Sequence, residues 1–315
     1  MKRRRKIGII LVTVVASLSL FACNAGDGKT EEQKGALSTP HIHGLSYSDD
    51  GKTLIAATHH GIYRYQNRSW TGPVGESHDL MGFSYTQHGI FASGHPAEGS
   101  NLPDPLGLII SNDEGQSWTP VKFQGESDFH YMTAGFESGA IFVWNEHPNE
   151  ELETGLYTSQ KKGEKWNRVS TKGIDGKMIT MDAHPQKADA LVVGTDQGVY
   201  LKSGNKKDFE NVWTGIQATA LLHDRKNPEK IWIGTYTDQP HLYHLNIRSK
   251  KKKEVPLPFD HTNDAIQFIA QSSSNPETLA ISTFDGNIYT SRDGGGTWTQ
   301  VSQGKGETDE TNPSA

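Results

Sequence analysis

Cysteine is nearly absent from this chain: Cys23 is the single thiol among 315 residues. An internal disulfide is therefore excluded, and the fold must rest on packing and hydrogen bonds alone. Surplus positive charge is also missing. Lys and Arg number 31 against 37 Asp and Glu, for a formal net charge of −6, so the basic face of a nucleic-acid-binding protein is not expected. The one internal basic run, Lys250 to Lys253, reads as a solvated turn. Arginine is scarce beyond the first few residues, where only Arg64, Arg68, Arg168, Arg225, Arg248 and Arg292 occur. Helical periodicity is lacking after the N-terminal segment. The chain is instead rich in glycine, with 33 residues, and in histidine, with 14. Many glycines between short β-rich runs suit strands and turns.

The first 23 residues stand apart. "MKRRRK" is a positive leader and "IGIILVTVVASLSLF" an apolar stretch of signal-peptide length. The following "LFAC" resembles a bacterial lipobox, which implies that Cys23 is lipidated and becomes the mature N-terminus. The expectation is a lipid-anchored protein on the extracytoplasmic side of the cell membrane. Residues 24–40 are small and polar and read as a flexible tether. Residues 302–315 have a disorder-prone composition.

Between these ends one unit recurs. "GIYRYQNRSW", "GLIISNDEGQSW", "GLYTSQKKGEKW", "GVYLKSGNKKDFENVW", "HLYHLNIRSKKKKEV" and "NIYTSRDGGGTW" align on Tyr63, Ile109, Tyr157, Tyr200, Tyr243 and Tyr289, 43 to 48 residues apart. Two strand-like runs precede each segment, as in "HIHGLSY" and "TLIAAT". The unit reads as four strands, A to D, with D starting at a Trp. Six such units predict an all-β, single β-propeller over residues 41–301, with six four-stranded blades, because packed blades bury faces that one blade cannot. Seven blades are the alternative.

Ser111, Asp113, Gly115 and Trp118 recur as Ser291, Asp293, Gly295 and Trp298. "SNDEGQSW" and "SRDGGGTW" resemble the Asp-box, or BNR, repeat; "SQKKGEKW" is a third copy with Lys161 in place of Asp. The resemblance is to the propellers of bacterial sialidases, sortilin-type domains, photosystem assembly factors and exported proteins labelled glycosyl hydrolases. It implies a fold rather than an activity. The motif sits at the C–D hairpin on the rim, so its Asp and Trp residues are expected to be structural.

Sialidases hold a carboxylate sugar with three arginines. Here no arginine falls at a strand-A start or a B–C loop, the two segments that share the active mouth, so the clamp has no donors. Histidines do converge there. His41, His43, His78, His130 and His261 lie at strand-A starts, and His59, His60, His95 and His147 in B–C loops. His43 aligns with His130 and His59 with His95, whereas His88, His184 and His223 fall on the opposite face. Imidazole suits Zn or Cu binding and acid–base chemistry near neutral pH. The candidate ligand or metal site is His41, His43, His59, His60, His95 and His130, with Asp79, Asp128 and Glu146 as ligands, orienting acceptors or weak catalytic candidates. Asp264 is a further carboxyl near the mouth. Two function classes follow. One is an anchored module binding a metal, small molecule, glycan or partner protein; the other is a glycoside hydrolase-like enzyme using the same face.

Overall fold

The computed structural model describes residues 41–204, 206–259 and 263–304. Cys23, the tether, His261 and residues 305–315 of the expected C-terminal tail lie outside the described residues, while Ser302 ends the last strand, one residue beyond the expected propeller boundary. The described chain is a six-bladed β-propeller: six four-stranded antiparallel sheets, each paired in the order A-B-C-D. The innermost strands A are Ile42–Tyr47, Asp79–Thr86, Met132–Ala134, Met178–Ala183, Gln217–His223 and Ile266–Gln271. Antiparallel order puts the A–B and C–D turns on one face, and the B–C loops and D–A connections on the other, here called the top.

Each blade alternates apolar side chains into its two neighbours. Strand B is the most buried element. Leu54–Thr58, Leu191–Thr195 and Leu279–Thr283 are buried throughout, as expected of a strand covered on both faces. Every core cluster bridges neighbouring blades. One joins Ile62 of blade 1 to Leu80, Phe83 and Ile109 of blade 2, and another joins Trp232 and Leu242 of blade 5 to Ile269 and Tyr289 of blade 6. Strand A carries an irregular register near its start in five blades, as between Ile42 and Gly44 and between Leu80 and Gly82. Such a bulge re-aims one side chain at the mouth; in blade 1 that residue is His43.

The ring closes without a shared blade, because blade 1 is built entirely from the first four strands and blade 6 from the last four. An apolar cluster of Ile42, Leu45, Tyr47, Leu54 and Trp70 against Ala270, Ala280 and Ile288 makes the seam. Trp70 Nε1 donates to the Val301 carbonyl at 2.8 Å, and Ser273 Oγ and Ser274 Oγ donate to the Asp49 and Asp50 carbonyls at 2.8 and 2.9 Å.

The two Asp-box turns share one bonding pattern. Ser111 Oγ donates to Asp113 Oδ1 at 2.8 Å and accepts from Gly115 N at 2.7 Å, while Ser117 N donates to Asp113 Oδ1 at 2.9 Å. Ser291, Asp293, Gly295 and Thr297 repeat this at 2.8, 2.9 and 2.9 Å. Around Ser159 the Gly163 N bond persists at 3.0 Å without the Asp. The turn glycines have φ of 89°, 91° and 88° at Gly115, Gly163 and Gly295. A β-carbon there would stand 2.6, 2.5 and 2.4 Å from Ile62, Leu108 and Val255, each on the preceding blade. The repeated turn therefore packs one blade onto the next. Strand D differs slightly from expectation. Trp213 lies inside Glu210–Thr214 rather than opening it, because the longer C–D turn of blade 4 admits Phe209 as a further buried anchor.

Candidate functional site

The top face of blades 1 to 3 carries one motif three times. By strand pairing, the residue one before strand A of blade 1, His41, is equivalent to Asp79 and Asp128. His43 is equivalent to Met81 and His130, and the residue that follows strand B, His59, to His95 and Glu146. The side chain at the end of strand B reaches the next blade's strand-A start. His59 Nδ1 meets Asp79 Oδ1 at 2.8 Å, and His95 Nε2 meets Asp128 Oδ2 at 3.3 Å.

Within blade 1, His43 Nε2 lies 3.2 Å from His59 Nε2. The His41 ring is 5.2 Å from His59 and 6.4 Å from His43, centre to centre. A carboxylate only accepts, so His59 carries a proton on Nδ1, facing Asp79, and in the neutral imidazole its Nε2 offers a lone pair. His43 is held down to about pKa 4 by burial, then by His59, with Asp79 opposing. It is neutral under ordinary conditions. His43, His59 and Asp79 present donor atoms within 4.8 Å of one another. Two imidazole nitrogens bound to one tetrahedral ion at about 2.0–2.1 Å are about 3.3–3.4 Å apart. The His43–His59 pair therefore fits a Zn- or Cu-sized ion, with Asp79 behind His59 as the orienting acceptor.

The neighbouring cluster is arranged differently. His95 Nδ1 bonds Asp104 Oδ1 at 2.7 Å, and this hydrogen bond, with Asp128 nearby, raises the His95 pKa against burial. His130 Nδ1 lies 3.3 Å from Asp128 Oδ2 and 3.7 Å from Glu146 Oε2. Burial pushes the Asp128 carboxyl up, while His130 and His95 pull it down. Asp128 is thus a hub between two imidazoles.

Not every candidate joins this array. His60 is exposed at the B–C turn, and the bond it makes is from its backbone N to Thr58 Oγ1 at 3.0 Å. His147 is exposed. His78 is fully buried and accepts from Ala97 N at 3.0 Å, so it pins the B–C insertion of blade 2. Asp264 is buried and accepts from the backbone N of Ala265 and Asp285, a loop-holding role. The arginines lie where the repeat predicts. Arg225 is in the A–B turn of blade 5 with its guanidinium 4.8 Å over Phe136, and Arg64 pairs with Glu114.

Two features escaped the sequence reading. Asp104, the partner of His95, sits nine residues downstream in a Pro-rich insertion with no repeat equivalent. The other is Asp182, which brings together two histidines expected on the opposite face: His223 Nδ1 donates to Asp182 Oδ2 at 2.7 Å, and His184 packs 5.1 Å from His223.

Neither a family model nor a curated protein matches the chain. Solved structures do match in fold. The GH74 xyloglucanase from Xanthomonas campestris superposes with a TM-score of 0.53 at 13% identity over 85% of this chain and 46% of that one. The extracellular domain of the one component system BT4673 from B. thetaiotaomicron gives 0.54 at 15%, over 85% of this chain and 34% of that one. The Cps50 (Swd1) β-propeller domain from Myceliophteria thermophila gives 0.53 at 11%, over 87% and 90%. The chain spans less than half the length of the first two. At these identities the likeness is one of fold.

Proposed function

We propose that the chain is an exported, lipid-anchored propeller of the Asp-box type whose top face binds a transition-metal ion, Zn or Cu. The observation that carries this reading is the 3.2 Å approach of His43 Nε2 to His59 Nε2, with Asp79 behind His59. Without metal, His43 Nε2–H donates to the His59 lone pair. Moving that proton to His43 Nδ1 frees both nitrogens for one ion, and His41 stands beside them as a third ligand. The ion would supply a Lewis-acidic coordination point at the mouth, where a small molecule, glycan or partner protein can reach it. The solved propellers of this fold include a YCF48 bound to D1 peptide and GH74 enzymes, so both capture and catalysis occur on it.

The hydrolase alternative is less well supplied. A glycosidase needs two carboxyls free to flank the scissile bond, yet Asp79, Asp104 and Asp128 each contact an imidazole. Anchoring rests on Cys23 after the apolar leader. Cys23→Ala is expected to release the protein from membranes or leave it unprocessed; unchanged gel mobility with unchanged membrane retention would count against lipidation.

Titration of Zn(II) or Cu(II) into the metal-stripped protein tests the site. A bound ion should raise the melting temperature, since a ligand at 100 times its Kd adds about 2.7 kcal/mol. His43→Ala and His59→Ala should each abolish most of the shift, and His184→Ala on the opposite face should leave it. No shift with either ion, or the same shift in all three variants, would overturn the metal reading.

A further inference from the structure

One repeat position breaks its own rule. The residue of strand B that pairs with strand A just after the bulge, in blades 1, 2, 4, 5 and 6, is Ala57, Ser93, Gly194, Gly234 or Ser282, paired with Gly44, Gly82, Thr180, Ala220 or Phe268 on strand A. These positions face the next blade at close range. A β-carbon on Gly44 would stand 2.5 Å from Phe83, and one on Gly234 3.0 Å from Ile266. In blade 3 the same pair is Tyr131 and Trp144, with Trp144 N donating to the Tyr131 carbonyl at 3.0 Å. Two large rings stand where the packing elsewhere tolerates at most one.

The consequence is a cleft between blades 3 and 4, of about 390 Å³, within the usual range for small-molecule sites of roughly 300–1,000 Å³. Its walls are Trp144, Tyr131 and Leu156 on one side and Ile174 and Met178 on the other. Trp144 and Tyr131 remain half-buried rather than collapsing into the core. At the rim stand one carboxylate, Glu146, and one ammonium, Lys177, contributed by opposite walls. They do not pair with each other among the described residues; Glu146 leans toward His130 at 3.7 Å. Burial, and then the Glu146 carboxylate, push the Tyr131 phenol up, so the phenol stays a neutral donor.

We propose that this cleft is a ligand site for an aromatic amino acid, distinct from the His43–His59 pair proposed to hold the metal. The ring would slot against Trp144, an arrangement aromatic pairs favour at centroid separations of about 4.5–7 Å. Glu146 would receive the ammonium and Lys177 the carboxylate. An apolar body bearing both charges at one end is what such walls and such a rim complement. A sugar is the poorer fit, because Leu156, Ile174 and Met178 make the body of the cleft apolar, and the side chains able to bond its hydroxyls are few: Tyr131, Thr171, Glu146 and Lys177.

The test is calorimetry on the full-length chain stripped of metal with EDTA, so that failure of the metal reading does not affect it. The probes are L-phenylalanine, phenethylamine, 3-phenylpropionate and cellotriose. L-Phenylalanine should bind saturably, and either singly charged analogue at least tenfold more weakly. Trp144→Ser should lose binding at least tenfold while folding normally, since blades 2 and 6 carry Ser at this position. Tyr131→Ala, the residue of blade 5, serves if Trp144→Ser does not fold. Lys177→Met should weaken L-phenylalanine and 3-phenylpropionate but not phenethylamine. No saturable binding of any aromatic probe at 10 mM (roughly the weakest affinity of interest, near −3 kcal/mol), equal binding in the variant, or preference for cellotriose would overturn the proposal.

Discussion

At the level of single side chains, the rim tryptophans are not equivalent despite their common motif. Trp70 and Trp166 are 7% and 8% exposed, whereas Trp118 and Trp298 are only partly buried against their clusters. The sequence pattern predicted one structural role for all of them, because a turn followed by Trp looks the same whether or not the preceding blade covers the ring. Trp166→Ala should therefore cost about 3–5 kcal/mol, the range for a large core truncation. Trp118→Ala and Trp298→Ala should cost clearly less, and denaturant midpoints for the three variants would check the order. A second prediction concerns His184. Its Nδ1 accepts from the backbone N of Gln186 and Lys187 at 3.1 Å. Burial, then His223 and Lys187, hold its pKa down to about 4, with Asp182 and Asp189 opposing. The unfolded chain takes up that proton near pH 6.5. Between those values the unfolded state binds more protons, so this contribution is intact above about pH 6.5 and is lost as pH falls toward about 4. His184→Asn, whose side-chain oxygen can accept the same bonds, should show a flatter dependence of urea midpoint on pH across that window. An unchanged slope would show that His184 does not set it.

At the level of the turn and the strand, the Asp-box hairpins behave as small hydrogen-bonded staples. Asp113 and Asp293 are held down to about pKa 2, first by Ser117 and Thr297. Their stabilisation is present above the ordinary carboxylate range, near pH 4, and disappears as pH falls toward 2. Gly163→Ala tests the same turn through its backbone. It would place a β-carbon at φ 91° and 2.5 Å from Leu108, and should destabilise by more than about 1 kcal/mol, since Ala where φ is positive reverses the usual gain over Gly. The period, the turn residues and the alignment of His43 with His130 were all readable in the sequence, because each is a local pattern repeated at a fixed distance. Asp104 was not, since an insertion has no repeat partner to align with. Nor were Tyr131 and Trp144 as a pair: their opposition depends on the strand-A register, and sequence spacing does not locate the bulge that sets it.

For the whole ring, the phase of the repeat matters more than its count. A sequence with a 45-residue period is compatible with blades that begin at any strand, and a ring that borrows a strand from the other terminus is held shut by backbone hydrogen bonds. The ring begins at strand A among the described residues, so five blade junctions have a covalent connection, and the sixth, between blades 6 and 1, is held there by apolar packing and by side chain to carbonyl bonds rather than by strand pairing. Strand A of blade 1 packs on strands A and B of blade 6 there. Tyr47 Oη donates to the Leu279 carbonyl at 3.3 Å, and Trp70 Nε1 to Val301 at 2.8 Å. Local opening follows the least-secured contacts, so the seam should be where the ring first parts. Trp70→Ala removes both an apolar wedge and that indole bond, at about 3–5 kcal/mol. Native-state hydrogen exchange should then accelerate in strand A of blade 1 and in Leu279–Thr283 and Thr299–Ser302 of blade 6. Val192 and Val193 of blade 4, across the ring, should keep their wild-type protection under conditions where only local opening is seen. Acceleration spread evenly over all six blades would mean that the ring opens as one unit and that the seam is no weaker than its covalently linked junctions.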